Sequence, residues 1–436
     1  MIFHLELDNP LLRFVGPRLS PVKNLWAEAP DHGFEPLWVV GCAVANPLAL
    51  GGSVIWPPVS AGQSVHIERA IFAAIGEGLE RLGATCRPAN AAFLRGSHSE
   101  LSEEHNLFPL DGMRLFSEEQ TRDPSFNLKN IGSSDRIEWI RGTQWKAQGE
   151  EKVYYPFPRV SLNQSVAYPY DITTTNGLAV GPNWEWAFEK ALAEVIERDA
   201  FLTAWWLKRP APVYGYEDLR DLDLGPVSDA VEWLGDRLWI LDFTERWNIP
   251  AFISVFWGRD GEDEPPVILS GGCGPDAKRA LQKAIEEGTR VFIGQMKNRS
   301  QKTSRRILPP YDETVLNFDD GMRLYFSREN RSCAEFLLQG PRPGGKVLRE
   351  VFAEYPSKSE VGPWTFLKDR VLRKGARILA FDLTPIDMHL AGLKLARIVV
   401  PEAVPLNAAH RARPWGCLGL RRFDMKNLNP MPHPYP

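Results

Sequence analysis

The chain has 436 residues, 44% of them hydrophobic, with 51 Lys and Arg against 55 Asp and Glu, a net charge of −4. That length and apolar content suit an enzyme with a large core, and the slightly acidic balance argues against a nucleic-acid binder. The opening MIFHLELDNPLLRF has no basic region followed by an apolar one, so no secretory signal is read there. No apolar run reaches the roughly 18 residues that span a membrane, so a cytoplasmic protein is expected.

In chain order, LWVVGCAVA (37–45) reads as a strand and 56–62 as a Pro/Gly-rich break. The next helix puts Ile67, Ile71, Ile75 and Leu82 on one side and Glu77 and Glu80 on the other. Polar residues 97–106 read as a surface loop. The stretch GLAVGPNWEWAFEKALAEVIERDAFLTAWW (177–206) has a helix's apolar rhythm. At about 100° per residue, Trp184, Phe188, Ala191, Val195, Leu202 and Trp206 form one stripe. Glu194, Glu197 and Arg198 lie off it, and Glu185 and Glu189 turn toward solvent. Asp199 falls inside the stripe, where an unpaired carboxylate is costly, so it is expected to have a partner. Breaks at 207–213, 258–266 and 340–345 separate the strand-like runs LWILDF (238–243), IPAFISVFW (249–257) and ARIVVP (396–401). GGCGPD (271–276) reads as a loop leading into the helix ALQKAIEEGTR (280–290), and 297–306 as a second surface loop. Strands mixed with these helices give an α/β class of sheets packed with helices. No clean linker divides the chain, so one catalytic domain over 1–436 is expected, with a core of about 37–430 and a tail at 430–436.

The helices share a pattern. AIGEGLER (74–81) and ALAEVIER (191–198) are both Ala-aliphatic-small-Glu-x-aliphatic-Glu-Arg, and KAIEEGTR (283–290) keeps Ala-Ile-x-Glu but has Arg290 in place of the second Glu. Such spaced copies point to a duplicated unit presenting carboxylates and arginines to one space. Carboxylates turned toward one another repel unless protonated or bridged by cations. Mg²⁺ held by a few carboxylates brings substrate phosphates with it, and guanidinium forks fit phosphate oxygens. The repeat therefore points to a magnesium–nucleotide site. The competing reading is a solvated face with i,i+3 and i,i+4 ion pairs.

TNGLAVG (175–181) followed by EVIERDA (194–200) resembles the signature of the YcaO family. SAGQS through AIGEGLER (60–81) is similar to that family's first ATP-binding helix, and ALQKAIEEGTR to its third. FDLTPIDMHLAGLKLARIVVPEA (381–403) resembles its closing unit, and NPMPHPYP ends in the PxPxP pattern of Pro432, Pro434 and Pro436. The resemblance implies an ATP-dependent cyclodehydratase. A Cys, Ser or Thr of a ribosomal precursor peptide adds to the preceding carbonyl, and ATP phosphorylates the oxyanion. Loss of phosphate then leaves a thiazoline or oxazoline. Other branches of the family form thioamides or amidines, and the proline-rich tail is what favours azolines. Matched position by position, the resemblance implies ATP binding by Glu77, Glu80, Arg81, Glu194, Glu197, Arg198, Glu287 and Arg290. It implies metal ligation by Glu77, Glu80, Glu194 and Glu197, and catalytic roles for Glu197 and the carboxylate of Pro436. Departures are Ala73 for Ser, Pro182 for Asn, Trp186 for a carboxylate that Glu185 replaces poorly, and Arg290 for Gln. They keep a catalytically altered scaffold as the competing reading. No winged-helix-like module is read at the front of the chain. A separate E1-like (ocin-ThiF) protein is therefore expected to deliver the peptide, with an FMN-dependent dehydrogenase in the same complex.

Other motifs fail on their chemistry. GPRPGGKV (340–347) matches P-loop spacing to Lys346, but Val347 cannot hold Mg²⁺ and two prolines lack cradling amides, so it reads as a turn. His66 reads as a surface residue. Cys42, Cys86, Cys273, Cys333 and Cys417 are too scattered for a zinc site or a disulfide framework. The final prolines favour an extended polyproline II segment over a mobile tail.

Overall fold

The computed structural model describes residues 9–16, 20–29, 37–46, 59–162, 169–171, 173–259, 264–297, 307–356 and 361–435. Pro436 and all of the segment read at 297–306 except Lys297 lie outside these residues.

The main strands in chain order are β1 (Val22–Glu28), β2 (Trp38–Val44), β3 (Val59–Ser64), β4 (Phe93–Gly96), β5 (Ile137–Lys146), β6 (Gly149–Pro156) and β7 (Leu178–Gly181). They continue with β8 (Val213–Tyr214), β9 (Leu238–Asp242), β10 (Ala251–Trp257), β11 (Val267–Cys273), β12 (Ile378–Asp382) and β13 (Lys394–Val399). All ladders between them are antiparallel. One sheet runs β1-β2-β3 and another β11-β10-β9-β8. The largest runs β4-β5-β12-β13-β7, with β6 also paired to β5. The three repeat segments lie on α1 (Ile67–Gly83), α2 (Trp184–Leu207) and α3 (Ala277–Lys297). Sheets covered by these helices make the α/β class read from the sequence.

Two units repeat a strand-then-helix arrangement. A Cβ on Gly62 of β3 would stand 2.1 Å from the Ala70 carbonyl oxygen of α1. On Gly272 of β11 it would stand 2.0 Å from that of Ala280 on α3. Glycine is what lets each helix lie directly on its strand. This corrects two readings. From Val59 onward the break at 56–62 is a strand, and Gly271–Cys273 of GGCGPD finish β11, leaving only 274–276 as loop. GPRPGGKV is non-helical, as read, only over 340–344, and its last three residues open the helix Gly345–Glu354.

Helix α2 starts where Asn183 accepts a hydrogen bond from the Trp186 N–H at 2.9 Å. Its first half packs with the helix Pro363–Arg373, β12 and β13, and its second half with β10, β11 and residues 404–435. Clamped between two cores, it buries Leu192 and Ile196 as well as the stripe residues Ala191, Val195, Leu202 and Trp206. Asp199 is fully buried and has its partners. It accepts from Trp247 Nε1 at 2.6 Å, the Val404 N–H at 2.7 Å and Arg246 Nη2 at 2.7 Å.

Residues 429–435 are packed and not a mobile tail. Trp205 Nε1 donates to the Met431 carbonyl at 3.0 Å, Tyr325 to that of Pro432 at 2.7 Å, and Tyr435 stacks on Phe201 with ring centroids 4.9 Å apart.

Candidate nucleotide site between three helices

The first glutamate of each repeat latches its helix to the chain just before it. Glu77 accepts from the Ala61 N–H at 2.9 Å, Glu194 from the Gly177 N–H at 2.8 Å, and Glu287 from Ser270 Oγ at 3.5 Å. These equivalent contacts fix where the next residues of each helix point. Arg81 pairs with Glu77 at 2.5 Å, and Arg198 lies 3.5 Å from Glu194 and 3.7 Å from Glu197.

Glu80 lies on α1 within electrostatic reach of Glu194 on α2. Burial, then the charges of Glu194 and Glu77, push its carboxyl well above the usual range, while Arg81 and Arg397 pull the other way. Glu77 and Glu194 thus lie within electrostatic reach of Glu80.

Glu197 has a different environment. It is 1% exposed, accepts from the Tyr435 hydroxyl at 2.9 Å, and pairs with Lys283 Nζ at 3.2 Å. Burial works to raise its carboxyl, but Lys283, Arg198 and Tyr435 outweigh it and hold the group below the ordinary value. Lys283 also lies 3.7 Å from Glu287. For Lys283, burial works to lower the ammonium, and Glu197 and Glu287 reverse that and raise it. The solvated-face reading thus fails for Glu197.

Lys283 and Tyr435 are site residues that the sequence reading missed. Lys283 had a local signal, since it stands four residues before Glu287 at the head of the third repeat. Tyr435 had none beyond its place between two prolines. Gly271 completes the corner, because a Cβ there would lie 1.9 Å from the Tyr435 hydroxyl oxygen and 2.8 Å from Glu197 Cδ.

The remaining sequence candidates are placed as follows. Arg290 sits on α3 within electrostatic reach of Glu287. Pro182 is exposed before the cap, and the neighbouring Asn183 is committed to capping α2. Glu185 faces solvent, and Trp186 is 41% exposed against Gly181, so neither supplies the missing carboxylate. His66 is exposed, and all five cysteines are free thiols, as read.

Among the described residues, no three His, Cys, Asp or Glu side chains close around a point that a metal ion would occupy. Mg²⁺ takes one or two carboxylates and completes its shell with water and phosphate oxygens. Glu80 and Glu194, with Glu77 beside them, fit that demand. Glu197 already has a cation in Lys283. No helix among the described residues is long and apolar enough to cross a membrane.

The family model described as YcaO cyclodehydratase, ATP- and Mg²⁺-binding, matches residues 61–404. An uncharacterized protein in the tfuA 3′ region of Rhizobium leguminosarum bv. trifolii is 26% identical over 270 residues, 58% of this chain and 59% of that protein. A solved heterocyclase in complex with substrate and cofactor shares the fold with a TM-score of 0.71 at 18% identity, over 98% of this chain and 57% of that one. The E. coli microcin synthetase McbBCD complex matches with a TM-score of 0.57 at 13% identity, over 87% of this chain and 88% of the matched one. The chain spans less than two thirds of the length of the first two relatives. The chain belongs to the YcaO family of ATP- and Mg²⁺-binding cyclodehydratases.

Proposed function

We propose that this protein is the ATP-dependent cyclodehydratase of a peptide-modifying complex, converting Cys, Ser or Thr of a ribosomal precursor peptide to thiazoline or oxazoline. The observation that carries the reading is Glu80, whose carboxyl is raised by burial and by the charges of Glu194 and Glu77, a setting that a bound cation would relieve. Glu80 and Glu194 would hold Mg²⁺, with Glu77 beside them. Arg81, Arg198 and Arg290 have the fork geometry for phosphate oxygens. Bound ATP supplies the phosphoryl group that turns an amide oxygen into a leaving group. Glu197 and Lys283, neutralised against each other, hold Tyr435 and with it the residues before Pro436 beside the cluster. Little else is needed, because such chemistry depends on positioning and charge neutralisation. A separate leader-binding protein of E1-like type and a flavin dehydrogenase complete the proposed complex, and the match to a microcin synthetase complex supports this arrangement.

Incubation with ATP, Mg²⁺, precursor peptide and partner should remove one water mass from the peptide per heterocycle. Phosphate release with exchange of an amide oxygen for sulfur would assign the protein to a thioamide-forming branch, and water loss that consumes an amine in place of a Cys, Ser or Thr side chain to an amidine-forming one. The competing reading, a non-catalytic subunit, draws on the commitment of Asn183 to capping and the exposure of Trp186. Calorimetry of the assembled complex with a non-hydrolysable ATP analogue separates the two, since a scaffold binds none. Glu197→Gln should abolish turnover by releasing the residues around Tyr435 and should weaken analogue binding less than Glu80→Gln does.

A further inference from the structure

Behind the carboxylate cluster lies a cavity of about 90 Å³, lined by Tyr155, Arg159, Asp171, Asn176, Val195 and Arg397 among others. A second, of about 60 Å³, shares Asp171, Asn176 and Arg397 with it. Three arginines, Arg114, Arg159 and Arg397, line the larger one, against a single acidic residue, Asp171.

Three polar residues here are more than nine-tenths buried: Arg159 at 4%, Arg397 at 6% and Asn176 at 8% exposed. Arg397 donates from Nη1 to the Thr174 carbonyl at 2.8 Å, while its Nε and the Oδ1 of Asn176 have no hydrogen-bond partner. Burial pulls Arg397 down to about 10, with Glu194, Asp171, Tyr155 and Glu80 working the other way, so it remains charged at neutral pH. A buried cation with an unmet donor is costly unless something negative completes it.

The cavity is one residue from the candidate nucleotide site. Gly177 donates its N–H to Glu194 at 2.8 Å and accepts from the Ile398 N–H at 2.8 Å. Asn176 precedes Gly177, and Arg397 precedes Ile398. The turn before β7 therefore reaches Glu194 of α2 through Gly177, while Asn176 beside it and Arg397 of β13 line the cavity.

We propose that this cavity is an oxyanion subsite in which Arg397 and Asn176 hold a tetrahedral anionic group next to the nucleotide's phosphates, with Arg159, which donates to the Met113 and Tyr170 carbonyls, adding positive charge to the wall. It rests on the proposed function for its biological ligand. Two sources offer the same chemistry: the alkoxide formed when a side chain adds to the peptide amide, and the phosphate ion released afterwards. The side-chain amide of Asn176, with its oxygen unpartnered, is able to turn its NH₂ toward such a ligand.

The probe is inorganic phosphate, titrated calorimetrically into the full chain with the nucleotide site saturated by a non-hydrolysable Mg²⁺–ATP analogue. The wild type should bind phosphate saturably. Asn176→Asp, nearly isosteric but adding a second carboxylate, should weaken it by roughly tenfold or more while analogue affinity and melting temperature hold. Arg397→Lys should do the same if it folds, and the Asn176 variant decides the matter if it does not. Absence of saturable binding in the wild type, or unchanged affinity in Asn176→Asp, overturns the subsite. Phosphate inhibition competitive with the precursor peptide would identify the alkoxide as the native occupant. Inhibition not competitive with the peptide would identify released phosphate, and both outcomes uphold the site. The titration requires no turnover, so a failure of the cyclodehydratase reading leaves its result intact.

Discussion

Tyr435 donates its hydroxyl to Oε1 of Glu197 at 2.9 Å, joining residues 238 positions apart in a fully buried contact. The guanidinium of Arg198 lies 4.5 Å above the tyrosine ring, and Lys283 covers the other carboxylate oxygen. The proline-rich segment is thereby attached to the second repeat helix itself.

Tyr435→Phe removes the donor and keeps the ring. A buried hydrogen bond to a charged group contributes roughly 1.5–3 kcal/mol, and chemical denaturation should show a loss of that size. Deleting Pro432–Pro436 also removes the Phe201 stacking. It should stop cyclisation while leaving analogue binding at the Glu80–Glu194 end largely intact. A truncated protein that cyclises at the wild-type rate would show that the segment has no role in the reaction.

Gly271→Ala should reproduce the truncation without altering the segment. Its Cβ would overlap the Tyr435 hydroxyl and press on Glu197, and Tyr435 is the group able to leave. Limited proteolysis near residue 430 should speed up while circular dichroism stays unchanged. Wild-type protease resistance would contradict the contact.

Glu80→Gln should stabilise the ligand-free protein and weaken Mg²⁺-dependent nucleotide binding. Removing one repelling charge is expected to add roughly 0.5–1 kcal/mol. The pH dependence has a definite sign. Glu80 holds its proton more tightly folded than unfolded, so its contribution is full at low pH and is lost as pH rises through the raised value. Thermal melts of wild type and variant should therefore diverge with increasing pH and converge when Mg²⁺ and nucleotide are added.

Asp199→Asn should act on stability alone. Leaving Arg246 beside a neutral amide breaks a buried ion pair, at a cost of about 3–5 kcal/mol. Specific activity measured well below the lowered melting temperature should match the wild type. A large activity loss in the folded variant would place Asp199 in the site.

His433 anchors the same segment, with Nδ1 3.1 Å from the Tyr435 carbonyl and Nε2 2.9 Å from that of Asn407. Burial, with Arg198 adding to it, brings the ring down to about 4. The unfolded chain then binds the extra proton first, so stability is full above about 6.5 and falls as pH drops toward 4. His433→Gln should flatten that slope, and an unchanged slope would assign it to other groups.

The sequence by itself determined most of the main elements and the spacing of the repeat. Glu-x-x-Glu-Arg at helical spacing is a local pattern, and strands such as 238–242 and 251–257 announce themselves through continuous apolar runs. Asp199 was legible as a buried carboxylate because its angle on the helix falls among the apolar residues. Only the tertiary structure decided what surrounds each carboxylate. Helical angles assume a single core face, yet α2 is clamped between two cores, so Glu197 is buried on a side the angles assign to solvent. Its partners Lys283 and Tyr435 arrive from a different helix and from the far end of the chain, and no local pattern encodes such distances. Likewise, Asn183 is taken up by a helix cap, and Gly271 lies in a strand because Tyr435 packs against it. Charge balance in a buried site is a sum over everything within a few ångströms, and which groups enter that sum is settled by how the three helices meet.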